Sequence, residues 1–529
     1  MSHLVPLLVT LPLLGAAVAL VFGRNKRVQV AVSVLVLATT TVLAGILLVT
    51  VDQSQPIAVS VGAWPLPFGI VLYVDRLAAL LVLVTSIVLI AVLLFSIGQG
   101  AADNDEDTPV SIFYPSYLIL AAGIYNAFIA GDLFNLYVGF EILLVASYVL
   151  ITLGGTESRI RAGVVYIVVS LVSSILFLAA IAMIYAALGT VNMAQIAERM
   201  PELPQQTQLV LHLMLLLAFA IKAAIFPLSF WLPDSYPTAP APVTAVFAGL
   251  LTKVGVYAII RTETQLFADS DVNTLLMIVA LATMIVGILG AVAQAELKRI
   301  LSFTLVSHVG YMVFGLAIGT TPALAATIYY IAHHIVVQTT LFLAVGLIER
   351  RAGSTSILRV RGLMKAAPVI AVLYFIPAIN LGGLPPFSGF IGKYALFEAG
   401  AQVGTPLIWV LIIGGIATSL LTLYALMRAW NLAFWREQDD ESPETEARIA
   451  YLGDAPAADE EGDRRRIPRI MTAATGGMVA VTLALTVFAG PLLGFSQRAA
   501  EQIEQGVTLV GLQTDASHSD ESVDEGVTP

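Results

Sequence analysis

The chain has 529 residues, of which 58% are hydrophobic and only 12% are charged, and its mean hydropathy is +0.89. A soluble protein of this composition would expose large apolar patches, so we predict a polytopic membrane protein. The lack of cysteine excludes disulfides, thiolate metal sites and Cys-ligated iron–sulfur clusters. The net charge is −10 and no basic patch with interleaved aromatics is present, which argues against nucleic-acid binding.

Apolar segments of about 20 residues, the length that crosses a bilayer, predict fourteen spans. The first has no basic segment before it and is predicted to be a retained helix, not a cleaved signal peptide. The spans are 4–23, 28–51, 73–97, 111–131, 133–153, 162–188, 208–231, 242–261, 272–294, 300–319, 323–348, 368–399, 405–428 and 470–494.

The positive residues support this count. Of the 26 Lys and Arg residues, nineteen lie in alternate connections between the spans, four lie on the opposite side and three lie within spans. Short cytoplasmic loops concentrate Lys and Arg, so both termini are predicted to lie outside the cytoplasm.

Two spans have the same unusual design. Lys222 precedes a proline break at Pro227 in the seventh span, and Lys393 follows a break at Pro385-Pro386 in the twelfth. An odd number of spans separates them, so the two helices run in opposite directions, as in inverted-repeat transporters. The predicted fold is therefore an all-α membrane protein with two inverted five-helix repeats and broken helices 7 and 12. Its segments are an N-terminal three-helix segment (1–110), the first repeat (111–261), the second repeat (272–435), a flexible cytoplasmic loop (436–469), helix 14 (470–495) and an acidic C-terminal tail (496–529).

Three of the six lysines, Lys222, Lys253 and Lys393, lie inside predicted spans. Each costs roughly 2.5–3.5 kcal/mol to insert, and a desolvated lysine gives up its proton more readily than one in water. We therefore interpret them as steps on a proton path, with snorkelling of Lys253 to the surface as the alternative. Glu141, also mid-span, is predicted to pair with Lys222, and a static structural salt bridge is the alternative.

Histidines complete the candidate path. His308 shares one helical face with Thr304, Ser307 and Tyr311, a pattern that suits a proton relay. A lone histidine bonded to a backbone carbonyl is the alternative.

The adjacent His333 and His334 point about 100° apart on a helix. His334 is favoured because it shares a face with Tyr330 and Gln338, but both are retained. A metal site is disfavoured because adjacent histidines cannot chelate one ion from one face and no carboxylate accompanies them.

Other acids lie near predicted span ends. Glu398 is interpreted as an exit acid, and Asp75 and Asp132 as anchors at the membrane interface. No phosphate loop, nucleotide-binding glycine fingerprint or nucleophile elbow has a plausible setting, so no cofactor is predicted.

Five stretches carry a family resemblance: FNLYVGFEILLVASYVLITLGG, KAAIFPLSFWLPDSYPTAPAPVTAVFAGLLTKVGVYA, KRILSFTLVSHVGYMVFGL, IYYIAHHIVVQTTLFLAVGLIE and LGGLPPFSGFIGKYALFE. They resemble the antiporter-like membrane subunits related to respiratory complex I and, more closely, the D subunits of bacterial multisubunit Mrp (Mnh or Pha) cation/proton antiporters. The resemblance covers about residues 70–435. It implies fourteen helices, two inverted five-helix repeats, and a chain of charged residues across the membrane centre. That chain would be Glu141, Lys222, Lys253, His308, His333, His334 and Lys393. Gln338 departs from the pattern, because a lysine is common there in relatives.

The resemblance implies a proton-translocating subunit of a Na⁺/H⁺ antiporter in the bacterial cell membrane, working with Mrp subunits of types A, B, C, E, F and G. Such a chain is a secondary transporter subunit and not an enzyme. One alternative is a proton-pumping subunit of an NADH:quinone oxidoreductase or a membrane-bound hydrogenase. Another is a scaffold whose charges only hold helices together.

Overall fold

The protein is described by a computed structural model over residues 2–64, 68–100, 112–268, 272–436 and 467–505. Within these ranges the chain is mostly helical, as predicted. The predicted flexible loop at 436–469 lies almost entirely outside the described residues, and so does the predicted acidic tail beyond Gln505.

The helices are numbered α1 to α20 in chain order. The first eleven are α1 Leu7–Val21, α2 Lys26–Gln53, α3 Arg76–Gln99, α4 Phe113–Ile129, α5 Leu133–Thr152, α6 Glu157–Leu188, α7 Met193–Arg199, α8 Gln205–Ala223, α9 Leu232–Ser235, α10 Ala241–Val246 and α11 Thr252–Arg261. The other nine are α12 Asn273–Ala293, α13 Leu297–Ile318, α14 Thr321–Ala352, α15 Leu363–Ala366, α16 Pro368–Gly382, α17 Ser388–Val403, α18 Pro406–Trp430, α19 Arg469–Val487 and α20 Ala489–Glu504.

Shorter elements complete the description. Three π-helical turns cover Phe247–Leu251, Thr262–Leu266 and Asn431–Trp435, and 3-10 turns cover Ser2–Leu4, Val61–Ala63, Met200–Glu202 and Tyr236–Thr238. Strands β1 Ile57–Ser60 and β2 Val71–Val74 form an antiparallel hairpin with Ile57 opposite Val74. The π-turn Phe247–Leu251 joins α10 to α11, and the π-turn Thr262–Leu266 extends α11. Together they form one continuous helix, Ala241–Leu266, which we call the 241–266 helix.

Local sequence signals set many of the helix ends. Asp75 and Asp132 are N-caps, whose carboxylates accept from the amides of Ala78 at 2.8 Å and Asn135 at 2.6 Å. At the C-terminus of α6, Gly189 adopts φ 71°, a left-handed conformation that glycine reaches without strain. The short connection through Asp132 brings α4 and α5 into contact.

Twelve helices among the described residues are long and apolar enough to cross a membrane. The predicted span 111–131 coincides with a shorter apolar helix, Phe113–Ile129, and the predicted span 368–399 is divided between the short helix Pro368–Gly382 and α17.

Three of the spanning helices form the inner part of the molecule. The most apolar windows of α14 and the 241–266 helix are entirely buried, and that of α13 is 94% buried, against 28% for α2 and 39% for α12. The inner helices carry Lys253, His308, His333 and His334, each 0% exposed. The candidate site residues of these helices are therefore shielded from lipid by the outer helices.

Helical structure is interrupted at two places. α8 ends at Ala223, Ala224 adopts φ 56°, and the chain is next helical at Leu232. α16 ends at Gly382 and α17 begins at Ser388. Each interruption lies beside one of the predicted lysines.

Helix α20 defines one end of the helix bundle, which we call the α20 end. The Arg76 amide donates to Gln502 Oε1 at 3.0 Å, and Thr321 at the start of α14 donates to Glu504. The opposite end, which we call the Arg299 end, contains the Arg299–Asp234 ion pair at 2.8 Å.

The predicted boundary of the last helix differs from the structure. Residues 496–504, predicted as the start of the acidic tail, belong to α20. Phe495, Ala499, Ala500 and Ile503 recur at helical spacing and are buried. This apolar stripe packs α20 onto α14 and α3, which the acidic composition of the segment obscured.

Candidate functional site

Lys222 lies in the last turn of α8, directly before the first interruption. Its side chain is buried, and Nζ donates to Ser174 Oγ of α6 at 3.1 Å. Nζ also lies 5.0 Å from the centre of the Phe140 ring of α5, a cation–π distance. The ammonium is therefore held by a hydroxyl and a ring, without a counter-charge in direct contact.

The predicted Glu141–Lys222 ion pair is not formed in this structure. Glu141 is partly exposed, and its Oε1 has no hydrogen-bond partner among the described residues. Adjacent helical residues point about 100° apart, so when Phe140 covers the lysine, Glu141 turns away from it. Among the described residues, Glu141 therefore makes no direct contact with Lys222.

Lys253 lies in the first turn of α11 and is fully buried. Its Nζ donates to the Ala248 carbonyl at 2.7 Å, within the π-turn Phe247–Leu251. π-turns displace backbone carbonyls from the α-helical ladder and recur at functional sites. The snorkelling alternative is wrong, because Lys253 bonds to the interior backbone and does not reach a surface.

The helices that carry Lys222 and Lys253 touch next to both lysines. A Cβ on Gly255 would lie 2.7 Å from the Ala223 amide nitrogen, so only glycine permits this approach. The contact sets the local spacing of α8 and the 241–266 helix.

His308 on α13 lies at the centre of a polar cluster. Its Nδ1 lies 3.0 Å from Tyr330 Oη and its Nε2 lies 3.4 Å from Thr422 Oγ1 of α18. The His308 ring is 5.2 Å from the ring of His334 and 5.5 Å from that of Tyr311. The backbone-bonded alternative for His308 is wrong, because both ring nitrogens face side-chain hydroxyls.

His333 and His334 face different partners, as their sequence adjacency predicts. His333 Nδ1 lies 3.0 Å from Ser388 Oγ at the second interruption, whereas His334 turns towards His308. Both ring nitrogens of His334 and Oε1 of Gln338 are buried without a hydrogen-bond partner among the described residues. Such groups are costly unless water or a transferred proton satisfies them.

The second interruption is bridged by side chains. Asn380 Oδ1 accepts from the Gly389 amide at 2.8 Å, and its Nδ2 donates to Ser388 Oγ at 3.1 Å. Thr486 of α19 accepts from the Ser388 amide at 3.1 Å. These bonds satisfy backbone groups that the break leaves unpaired, as membrane depth requires.

Lys393 on α17 is buried beside this break. Its Nζ donates to the Leu381 carbonyl at 2.9 Å and to Ser419 Oγ at 3.0 Å. It also lies 5.1 Å from the centre of the Tyr311 ring. Lys393 thus has the same kind of environment as Lys222: a helix break, a serine hydroxyl and an aromatic ring.

The acids interpreted as interface anchors are buried. Asp75 forms a two-point ion pair with Arg261, with nitrogen–oxygen distances of 2.6 and 2.7 Å, at 2% and 3% side-chain exposure. Asp132 is 3% exposed, and burial raises its pKa to about 6, although bonds from backbone amides act in the opposite direction. Since the folded protein holds this proton more tightly than the unfolded chain, Asp132 lowers stability as pH rises from about 4 to 6.

Glu398, the predicted exit acid, is exposed in a groove of 330 Å³ at the α20 end.

Residues 130–422 match the family model described as "NADH:quinone oxidoreductase/Mrp antiporter, TM". The chain is also 39% identical over 506 residues to the Na(+)/H(+) antiporter D subunit of Alkalihalophilus pseudofirmus, covering 95% of this chain and 97% of that one. The chain belongs to the NADH:quinone oxidoreductase/Mrp antiporter family. The predicted resemblance to D subunits of Mrp antiporters is confirmed.

Further proteins are similar to this chain in sequence or structure. The Na(+)/H(+) antiporter D subunit of Bacillus subtilis is 38% identical over 85% of this chain and 90% of its own. A chain in the structure of the Mrp complex from Dietzia sp. superposes with a TM-score of 0.86 at 30% identity, covering 97% of this chain and 100% of that one. A chain of an archaeal membrane-bound sulfane sulfur reductase superposes with a TM-score of 0.84 at 25% identity, over 96% of this chain and 100% of that one.

Sequence reasoning missed the groups that hold the lysines. Ser174 and Ser419, which accept from the lysines, and Asn380, which bridges the second interruption, looked like ordinary small polar residues of apolar helices. No local pattern linked them to Lys222 or Lys393. A count of hydroxyl and amide residues within the spans would have given candidates, but their helix-to-helix partners depend on tertiary packing.

Proposed function

We propose that the chain is the proton-translocating subunit of a multisubunit Na⁺/H⁺ antiporter. Protons step along a buried row of ionisable side chains, and Na⁺ export is coupled to that movement elsewhere in the assembly. The row consists of Glu141, Lys222, Lys253, His308, His333, His334 and Lys393.

One observation carries the proposal: a near-continuous run of polar side chains crosses the buried centre of the second half. His334 faces His308 across 5.2 Å, the His308 and Tyr311 rings are 5.5 Å apart, and Lys393 Nζ lies over Tyr311 at 5.1 Å. Burying so many ionisable groups costs folding free energy, and a purely structural role gives no reason for that cost. Lys222 and Lys253, on touching helices, extend the row into the first half.

The row fits two inverted five-helix repeats within fourteen spans. Each repeat contributes one interrupted helix, after Ala223 and after Gly382, and each interruption has a lysine beside it. Phe140 on the fifth predicted span and Tyr311 on the tenth each present a ring to that lysine, at 5.0 and 5.1 Å. Corresponding parts at a five-span interval are what a duplicated ancestor would leave.

The orientation and the partners belong to the same proposal. The Arg299 end holds most of the basic connections, so it faces the cytoplasm of a bacterial cell, and both termini lie outside. The relatives named as antiporter D subunits, and the Mrp complex that contains a similar chain, support partner subunits, which in this proposal are of types A, B, C, E, F and G.

A proton-pumping subunit of a redox complex is the second candidate. It is favoured by the name of the family model and by the similar chain in the sulfane sulfur reductase, an archaeal respiratory membrane complex. Purifying the chain with its natural partners separates the two: copurifying iron–sulfur subunits support the redox complex, and their absence supports the antiporter.

The test removes single lysines from the assembled complex. Na⁺-dependent collapse of a pH gradient in everted vesicles should fall about 10²-fold in Lys222→Ala and Lys393→Ala, the usual scale for a lost proton-transfer group. Lys26→Ala, at an exposed position at the start of α2, is the matched control and should exchange normally. Full exchange by either buried-lysine variant would refute the proposal, and loss of assembly without loss of rate per complex would support a scaffold instead.

A further inference from the structure

A buried contact between a histidine and a glutamate lies outside the proposed row. His212 Nε2 on α8 is 2.6 Å from Glu263 Oε1 in the π-turn Thr262–Leu266, with side-chain exposures of 0% and 8%. The His212 ring also stacks on Phe267, with centroids 4.4 Å apart and planes 6° from parallel. Ring position and hydrogen bond together fix one orientation of the imidazole.

The pair joins the same two helices that carry Lys222 and Lys253. His212 precedes Lys222 by ten residues on α8, and Glu263 follows Lys253 by ten residues on the antiparallel 241–266 helix. Ten residues rise about 15 Å along an α-helix. The helix pair is thus held at two levels: Gly255 against Ala223 beside the lysines, and His212 against Glu263 nearer the α20 end.

The π-turn explains why Glu263 reaches α8. Two residues earlier, Arg261 turns towards Asp75 at the start of α3. The wider turn that begins at Thr262 rotates the following side chains relative to an α-helix. One helix end is thereby tied to α3 and to α8 at once.

We propose that His212 and Glu263 are positioning residues that hold α8 against the 241–266 helix and so set the separation of Lys222 and Lys253. The inference rests on the proposed function. Since α8 ends at Ala223, no helical continuation anchors its Lys222 end. Without the His212–Glu263 hydrogen bond, α8 can slide or rotate about its axis, and either motion displaces Nζ of Lys222.

The other charged groups at the α20 end are bound to other partners or exposed. Arg199 donates to the Leu188 carbonyl at 2.8 Å, and Arg261 is bound by Asp75. Glu198 and Glu202 are exposed on the connection between α6 and α8. Among the described residues, the other charged groups at this end are Glu398 in its groove, Asp132 at the start of α5 beside β2, and five residues on or beside α20: Asp52, Arg76, Arg498, Glu501 and Glu504.

The test measures exchange per assembled complex in everted vesicles. Glu263→Ala and His212→Phe remove the contact, and the latter keeps a ring on Phe267; misplaced transfer groups should lower the rate about tenfold or more. Glu263→Gln keeps an amide oxygen that accepts from His212 and should retain most of the rate. Glu198→Gln neutralises an exposed carboxylate at the same end and is the matched control.

If Glu263→Gln keeps most of the exchange rate per complex while Glu263→Ala and His212→Phe lose it, the positioning role is supported. Wild-type rates per complex in Glu263→Ala and His212→Phe overturn the inference, and so does failure of all three variants to assemble, which would make the pair purely structural. Failure of the proposed function has a different signature, because Lys222→Ala would then exchange at the full rate.

Discussion

Removing Asp75 should destabilise the α20 end of the protein more than any single change to its exposed ion pairs. Asp75 and Arg261 are 2% and 3% exposed and share two short bonds. Arg261 also donates to Tyr257 Oη at 3.0 Å, and Tyr257 donates to the Phe128 carbonyl at 2.7 Å. Asp75→Asn therefore leaves a buried guanidinium without its counter-charge at the centre of a network.

The magnitude follows from this geometry. Asn is as good an N-cap as Asp, so the bond to the Ala78 amide survives and only the charge is lost. Removing one partner of a buried ion pair costs about 3–5 kcal/mol of folding free energy. The Asp75→Asn/Arg261→Met double variant should recover about 2–3 kcal/mol of that loss, because neither charge then remains buried alone.

The assay is unfolding of the purified protein by SDS in mixed micelles, followed by fluorescence of its five tryptophans. Arg498→Gln is the matched control, because the Arg498–Asp52 pair lies at the same end but Arg498 is 46% exposed. That variant should lose less than about 1 kcal/mol. An Asp75→Asn loss as small as the control's, or a double variant no better than the single, would refute the reasoning.

Three further changes test other parts of the structure. In Gly255→Val the new Cβ would lie 2.7 Å from the Ala223 amide nitrogen. The variant should therefore be less stable, with a free energy of unfolding about 1–3 kcal/mol smaller in the same SDS titration. The free energy of unfolding of the wild type should fall by about 3 kcal/mol between pH 4 and 6 because Asp132 loses its proton, and Asp132→Asn should not show this fall. Equal pH dependence in variant and wild type would contradict the effect of burial on Asp132. Asn380→Ala leaves the Gly389 amide unpaired and should cost about 1–3 kcal/mol, with lower exchange per complex in vesicles, whereas Asn380→Asp, which retains the acceptor, should lose less.

Much of the candidate site was predictable because a charge in an apolar segment is conspicuous. Lys222, Lys253 and Lys393 stood out since a membrane tolerates few such residues, and all three are buried. The breaks beside Lys222 and Lys393 were marked by proline, which cannot continue a helix hydrogen-bond ladder. The roles of these residues remain predictions that the vesicle experiments address.

Composition and periodicity by themselves determined that the chain is a helical membrane protein with ionisable groups at its centre, because both properties are local. Tertiary structure alone decided which groups meet. Lys222 bonds to Ser174 and not to Glu141, Asp75 finds Arg261 186 residues away, and His212 finds Glu263 51 residues away. Each choice depends on how one helix is rotated and set against another, and a few degrees of rotation exchange one neighbour for the next. No local pattern records that rotation.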